Sequence, residues 1–310
     1  MKKPIVVLTG PTAVGKTELS IQLAKVIGGE IISADSMQVY KHMDVGSAEM
    51  DGVRHYLVDE LEPFDEFHVV KFQEYAQKYL NEIYAHGKIP IIAGGTGFYI
   101  QALLNDIDFT EQESDSAYRK ELEALAEEHG NQYLHDRLKE VDPESAEAIH
   151  PNNRKRVIRA LEFYQETGRK ISEHNAKEQM RTSPYNFAYF VLNDERSHLY
   201  KRIDARVDKM IEDGLEAEVR RLKEMGCTKD MVAMQGIGYK EMLSYLDGSY
   251  SLEEAVYIIK RETRHFAKRQ ITWFKRERDV IWLNKNEFDY KNEAILAYMI
   301  KILKEKAIIS

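Results

Sequence analysis

The sequence predicts an α/β protein whose parallel sheet is interrupted by an all-helical insertion, and three observations carry that reading. Residues 5–8 (IVVL) form a short apolar strand that runs into the Gly-rich segment 10–17 (GPTAVGKT) and then into an amphipathic stretch. Apolar strands and amphipathic helices alternate from there, which implies right-handed crossovers between parallel strands. Between 108 and 186 helical periodicity continues with no strand between the segments. The expected architecture is a P-loop nucleoside-triphosphate-hydrolase-like core, residues 1–107 and 187–310, carrying a helical insertion domain at 108–186.

Each element has its own signal. After the first strand a helix is expected over 16–27, stopped by Gly28 and Gly29. Residues 30–34 (EIISA) read as a second buried strand ending at Asp35, and a helix follows over 70–86 with Gly87 as its stop. Residues 89–93 (IPIIA) make a third strand that opens into Gly94, Gly95, Thr96 and Gly97 and another helix. The insertion carries helical segments at 115–130, 131–141, 143–150 and 152–167. The chain then returns to the sheet at 187–192 (FAYFVL), with long helices at 196–225 and 251–275, a last strand at 280–283 and a closing helix at 291–305. All three early strands end in polar or Gly-rich turns, where such sheets bind ligands.

Bulk properties exclude several classes. Hydrophobic residues make up 43% and charged residues 31%, a globular balance. The apolar run at the N-terminus ends at Thr9, too short for a signal-peptide h-region, and no later run approaches a bilayer-spanning length. The single cysteine, Cys227, has no disulfide or metal-ligand companion and reads as a half-buried thiol in a reducing cytoplasm. A net charge of −8 argues against a polyanionic partner until its distribution is considered. The stretch 111–147 is acidic, while 154–170 and 260–278 are strongly basic, the second interleaved with Phe266, Trp273 and Phe274. Basic side chains hold phosphates, and the aromatics either stack on bases or fill the core.

The segment GPTAVGKT fits G-x-x-x-x-G-K-S/T in full. Its glycines let the backbone N–H groups of Gly10, Thr12, Ala13, Val14 and Gly15 turn inward around a phosphate, Pro11 having none to offer. The helix N-terminus adds partial positive charge, Lys16 neutralises, and the Thr17 hydroxyl suits Mg2+. Read alone, the loop suggests nucleotide (ATP) binding. Asp35, at the end of the second strand, is either an acid holding Mg2+ through water or a general base at the loop's mouth. Ser36 and Gln38 add neutral groups suited to a base edge. The Thr96 hydroxyl faces the same crevice. Arg202 and Arg206, spaced i and i+4, either pair with Asp204, Asp208 or Glu212 on the surface or clamp charge on a leaving group.

GPTAVGKT, DSMQVY, GGTGFY, RKRVIRALE, KRIDARVDKM, MQGIGYKE and FAKRQITWF occur in this order. Together they resemble the tRNA dimethylallyltransferases, over residues 5–283, and DSMQVY and KRQITWF are the most diagnostic. No Cys/His zinc-finger extension of the eukaryotic kind is present, so the resemblance is to the shorter bacterial form. The family implies transfer of a dimethylallyl group from dimethylallyl diphosphate to the exocyclic N6 amine of the adenine 3′ of the anticodon, with the P-loop gripping the diphosphate rather than ATP. By the same resemblance Lys16, Asp35 and Thr96 would be catalytic, Asp35 as general base. Arg202 and Arg206 would hold the diphosphate with the P-loop, and Mg2+ would sit on Thr17. Asp35, Ser36, Met37, Gln38 and Thr96 would meet the flipped adenine. In the insertion, expected to clasp the anticodon stem-loop with its acidic face toward solvent, Arg119, Lys155, Arg156, Val157, Ile158 and Arg159 would contact the RNA. So would Gly236, Ile237, Gly238, Tyr239, Lys240 and Glu241, and, on the last basic run, Lys268, Arg269, Gln270, Thr272, Trp273 and Lys275. A cytoplasmic monomer is expected. Three rivals stand beside this: a P-loop kinase of a nucleoside or small metabolite, an adenylate isopentenyltransferase acting on free nucleotide, and a non-catalytic RNA-binding NTPase.

Overall fold

The computed structural model describes residues 2–43, 52–107, 117–179 and 181–310. The expected start of the insertion at 108 and the first two residues of the helix expected at 115–130 lie outside the described residues. The chain divides into two compact units, Met1–Leu104 with Pro184–Ser310, and Asn105–Ser183.

The larger unit is built on β1 (Lys3–Thr9), β2 (Gly29–Ser33), β3 (His55–Tyr56), β4 (Ile89–Gly94), β5 (Tyr185–Asn193) and β6 (Val280–Asn284), in the order β3-β2-β4-β1-β5-β6. Every pairing is parallel. β1 lies between β4 and β5, with Thr9 opposite both Gly94 and Val191. The chain therefore leaves β1 toward one side of the sheet and fills the other side only later, which opens a crevice at the carboxyl ends.

Alternate residues of the strands feed two cores, as expected of parallel strands covered on both faces. Ile5, Val7, Ile32, Ile92 and Val191 face α2 (Val69–Ala85), α3 (Gly97–Leu104), α10 (Leu215–Glu224), α11 (Tyr239–Leu246) and α12 (Leu252–Phe274). Val6, Leu8, Ile31, Ile91 and Phe190 face α1 (Lys16–Ile27), α9 (Arg196–Glu212) and α13 (Asn292–Glu305). The sequence misses β3, which has two residues and so no periodicity to read. The single helix expected at 196–225 is two, because Gly214 turns left-handed (φ 101°) between α9 and α10 while the apolar spacing runs on across it. Gly29, expected as a helix stop, opens β2; Gly28 alone, at φ 65°, ends α1.

The smaller unit holds α4 (Ala117–His129), α5 (Asn131–Val141), α6 (Pro143–Ala148), α7 (Arg154–Thr167) and α8 (Ile171–Gln179). Its core is Leu122, Leu134, Leu138, Val157, Ile158 and Leu161. Glu121, Glu123, Glu127 and Glu128 on α4 are exposed. The 1% exposed carboxylate of Asp142 ties α6 to α8, accepting from Ser145 N (3.1 Å) and Oγ (2.7 Å) and from Ser172 N (3.0 Å) and Oγ (2.7 Å).

Candidate active site

The site lies where β1, β2 and β4 end side by side. After Thr9 the backbone turns through Gly10 (φ 150°), Ala13 (φ 63°) and Gly15 (φ 102°) to the start of α1, and two of the N–H groups expected to face a phosphate are engaged within the protein, Thr12 N donating to Gln270 Oε1 (2.9 Å) and Val14 N to Pro11 O (3.4 Å). A Cβ on Gly10 would overlap the Leu192 carbonyl of β5, so close packing as well as conformation requires glycine there. Lys16 folds back over the loop, its Nζ donating to Gly10 O (2.9 Å) and Pro11 O (2.8 Å). Burial pushes the amine down to about 8; the Asp35 carboxylate raises it and Arg206 lowers it further. Lys16 thus feels both the acid that follows β2 and the guanidinium on α9.

Asp35 is the second residue beyond the strand, and its Oδ1 accepts the Met37 N–H (2.9 Å), holding the DSMQ turn. The Gln38 amide is fixed from behind by the Ser33 hydroxyl, which donates to Oε1 (2.7 Å). The GGTG loop is stitched to the same turn: Thr96 N donates to Ala34 O (3.0 Å), and Ala34 N donates to Ala93 O (2.8 Å). A Cβ on Gly94 would overlap the Ala34 backbone, so this approach is open only to glycine. Asp35 and Thr96 are thereby brought to one rim. Gly236 packs against Met37, since a Cβ there would lie 2.7 Å from Met37 Cε.

Arg202 reaches the P-loop, its Nε donating to Ala13 O (2.8 Å). Two of the three acids weighed as partners for the arginines are engaged elsewhere: Asp204 with Arg264 (2.6 Å) and Asp208 with Lys260 (2.5 Å). A further cation, absent from the sequence reading, joins them. Lys285, just after β6 and 7% exposed, directs Nζ to Val14 O (3.4 Å), and a Cβ on Gly15 would lie 3.5 Å from Arg202 Nη2 and 3.6 Å from Lys285 Nζ. Burial and Arg202 both push the Lys285 amine down. It belongs to no motif, and only the arrival of β6 beside β5 reveals it.

This arrangement, a phosphate cradle ringed by cations with a carboxylate and a hydroxyl at the neighbouring strand ends, coincides with a match to known proteins. Residues 38–277 match the family model described as IPP transferase, and residues 3–62 match one described as Isopentenyl transferase. The chain belongs to the IPP transferase family. It is 63% identical over 313 aligned residues to a tRNA dimethylallyltransferase of Lachnoclostridium phytofermentans, covering 99% of both chains. It is 52% identical over 296 residues to one of Acetivibrio thermocellus, covering 94% of this chain and 95% of that one. The crystal structure of a tRNA isopentenylpyrophosphate transferase from Bacillus halodurans superposes with a TM-score of 0.73 at 44% identity, over 99% of this chain and 98% of that chain.

Several residues the resemblance assigns to RNA are used inside this family member. Val157 (0% exposed) and Ile158 (3%) are core residues of the helical unit, because α7 turns that face inward; Lys155, Arg156 and Arg159 are on its outer face. Arg119 is held by the buried Glu162 (1% exposed), with Nη2 at 2.6 Å and Nε at 3.1 Å. Tyr239 donates its hydroxyl to Glu218 (2.8 Å) in the core, and Glu241 accepts Gly238 N (2.8 Å) at the start of α11. Ile237 and Lys240 remain half-exposed. Gln270 is buried, and Thr12 N donates to its Oε1 (2.9 Å). The aromatic question of the last basic run divides by residue: Phe274 is core, Trp273 is half-buried against Gly97, and Phe266 is exposed beneath Arg269. Lys268, Arg269, Thr272 and Lys275 form the outer face of α12, and none of its cations there is paired with an acid among the described residues. Cys227, expected half-buried, is 3% exposed, and burial pushes its thiol up. No helix among the described residues is long and apolar enough to cross a membrane.

Proposed function

We propose that this chain transfers a dimethylallyl group from dimethylallyl diphosphate to the exocyclic N6 amine of the adenine 3′ of the anticodon in tRNA, releasing diphosphate. The observation that carries this reading is the shared rim: the loop that cradles a phosphate and the turn that carries Asp35 are joined through β4, by Thr9 opposite Gly94 and Thr96 N on Ala34 O. A donor gripped by its diphosphate then presents its allylic carbon to an amine held beside Asp35 and Thr96. An allylic C–O bond breaks readily only if the departing charge is neutralised, the role given to Lys16, Arg202, Arg206 and Lys285. The neutral amine gains nucleophilicity by losing its proton to Asp35 as the C–N bond forms. The Thr17 hydroxyl, in the first turn of α1 beside the loop, would be the residue to hold Mg2+ there. Bound there, Mg2+ would add charge neutralisation at the leaving group. The names of the relatives support tRNA as the acceptor. The outer faces of α12 (Lys268, Arg269, Thr272, Lys275) and α7 (Lys155, Arg156, Arg159) are suited to RNA phosphates. Since the target amine is stacked in the anticodon loop, the base must be extruded to reach Asp35. We place the reaction in the cytoplasm, catalysed by a monomer.

The test is incubation with unmodified tRNA, Mg2+ and dimethylallyl diphosphate, followed by nucleoside mass spectrometry. A dimethylallyl adduct on adenine is expected, slowed at least a hundredfold by Asp35→Ala. Transfer to free AMP without tRNA, or phosphoryl transfer from ATP, would overturn the assignment.

A further inference from the structure

Gln270 points inward from α12, opposite the face that carries Lys268, Arg269 and Thr272. Its side chain is 6% exposed, and both ends of its carboxamide are used. Oε1 accepts the Thr12 N–H of the P-loop at 2.9 Å, and Nε2 donates to Gly95 O of the GGTG loop at 2.9 Å. Gly95 has no side chain to push Gln270 away, because a Cβ there would overlap Nε2; one helical turn on, a Cβ on Gly97 would overlap the Trp273 indole. The helix therefore rests on the GGTG loop at two points on one face.

The bonded atoms matter more than the contact. Thr12 precedes left-handed Ala13, so the direction of its N–H helps set how the cradle opens. Gly95 precedes Thr96, whose own N–H is bound to Ala34 beside Asp35. A single carboxamide thus spans from the leaving-group loop to the acceptor loop. A glutamine carboxamide accepts at one end and donates at the other while remaining neutral at every working pH. A carboxylate would set an oxygen against Gly95 O, and an aliphatic chain would leave both Thr12 N–H and Gly95 C=O unpaired in a dry place.

We propose that Gln270 is a positioning residue that fixes the distance and register between the diphosphate cradle and the loop receiving the amine. The inference rests on the transfer reaction proposed above. Its role lies in bringing the reacting carbon and nitrogen into line, a contribution that small displacements forfeit.

The test compares wild type with Gln270→Leu and Gln270→Glu in single-turnover prenylation of tRNA, alongside tRNA binding and thermal unfolding. Gln270→Leu is expected to lower the single-turnover rate about a hundredfold while leaving tRNA affinity within twofold. Gln270→Glu should be similarly slow at pH 8, and its rate relative to wild type should rise at least tenfold by pH 5.5. A protonated glutamic acid restores one donor and one acceptor, so the same folded protein regains the brace. A Gln270→Leu enzyme at wild-type rate, a loss residing wholly in tRNA affinity, or a Gln270→Glu enzyme whose relative rate ignores pH would each overturn the proposal. Should Gln270→Leu fail to fold, the pH profile of Gln270→Glu decides alone. The two readings fail separately: a wild type that forms no adduct removes the reaction, whereas an active wild type with indifferent variants removes only the brace.

Discussion

Lys16 shows how a single charge is tuned by its place. Burial alone lowers its proton affinity, and its two charged neighbours act in opposite directions, Asp35 raising it and Arg206 lowering it, to leave the amine at about 8. An anion in the cradle favours the ammonium form, so binding above pH 8 must take up a proton. The Lys16 contribution to diphosphate affinity should therefore be constant below about pH 7 and weaken up to about tenfold per pH unit well above 8. Calorimetry in buffers of different ionisation enthalpy checks this, and Lys16→Met should abolish the proton uptake. Arg119 illustrates the opposite case, a charge committed to structure. Removing it strands the buried Glu162 carboxylate, so Arg119→Ala should cost about 3–5 kcal/mol in a urea melt of the full chain. Arg119→Met with Glu162→Leu should recover most of that loss. Its sequence neighbours Lys120 and Glu121 gave no hint of this partner, which lies on a different helix.

At the level of elements, α6 and α8 depend on the Asp142 carboxylate, which no motif advertised. Burial raises its proton affinity, but the hydrogen bonds from Ser172 and Ser145 outweigh burial and hold the carboxyl below the usual carboxylate range. A depressed folded-state value contributes stability that is complete above the unfolded-state value and is lost as pH falls through the folded one. Stability of the helical unit should thus be constant above about pH 5 and decline below about pH 4. Asp142→Ala should cost about 3 kcal/mol at pH 7 and flatten that acid limb, as followed by circular dichroism. The elements legible from the sequence were those with strong periodicity and end signals: α12 begins with the Ser251–Glu254 capping box, and α1 ends at left-handed Gly28. Three features that escaped had no such signals. β3 is too short, Gly214 interrupts an unbroken apolar pattern, and α8 is nearly polar throughout.

For the whole molecule, net charge and charge placement tell different stories. The chain carries −8, yet the outer face of α12 presents Lys268, Arg269 and Lys275 with no acid paired to them among the described residues. Replacing all three by Ala should reduce the salt dependence of tRNA binding by about 2–3 units of slope in a log–log plot. An unchanged slope would show that the RNA lies elsewhere. The site was legible where motifs sit on consecutive backbone, as in GPTAVGKT and DSMQ. It was not legible where residues far apart in the chain meet, as Lys285 meets Val14 and Gln270 meets Gly95.

The position of β1 in the sheet also bears on how the chain is made. Ile5, Val6, Val7 and Leu8 are wholly buried, and the strand that covers one edge of β1, β5, begins only at Tyr185. A ribosome must therefore deliver the entire helical unit before the first strand it synthesised acquires its second neighbour. During that interval the nascent chain carries an open, apolar strand edge, the kind of surface that recruits chaperones or other unfinished chains. The helical unit, complete by Ser183 and with a core of its own, has time to fold first. Synthesis order and fold order thus run in opposite directions: the N-terminal strand is among the last parts of the molecule to be sealed.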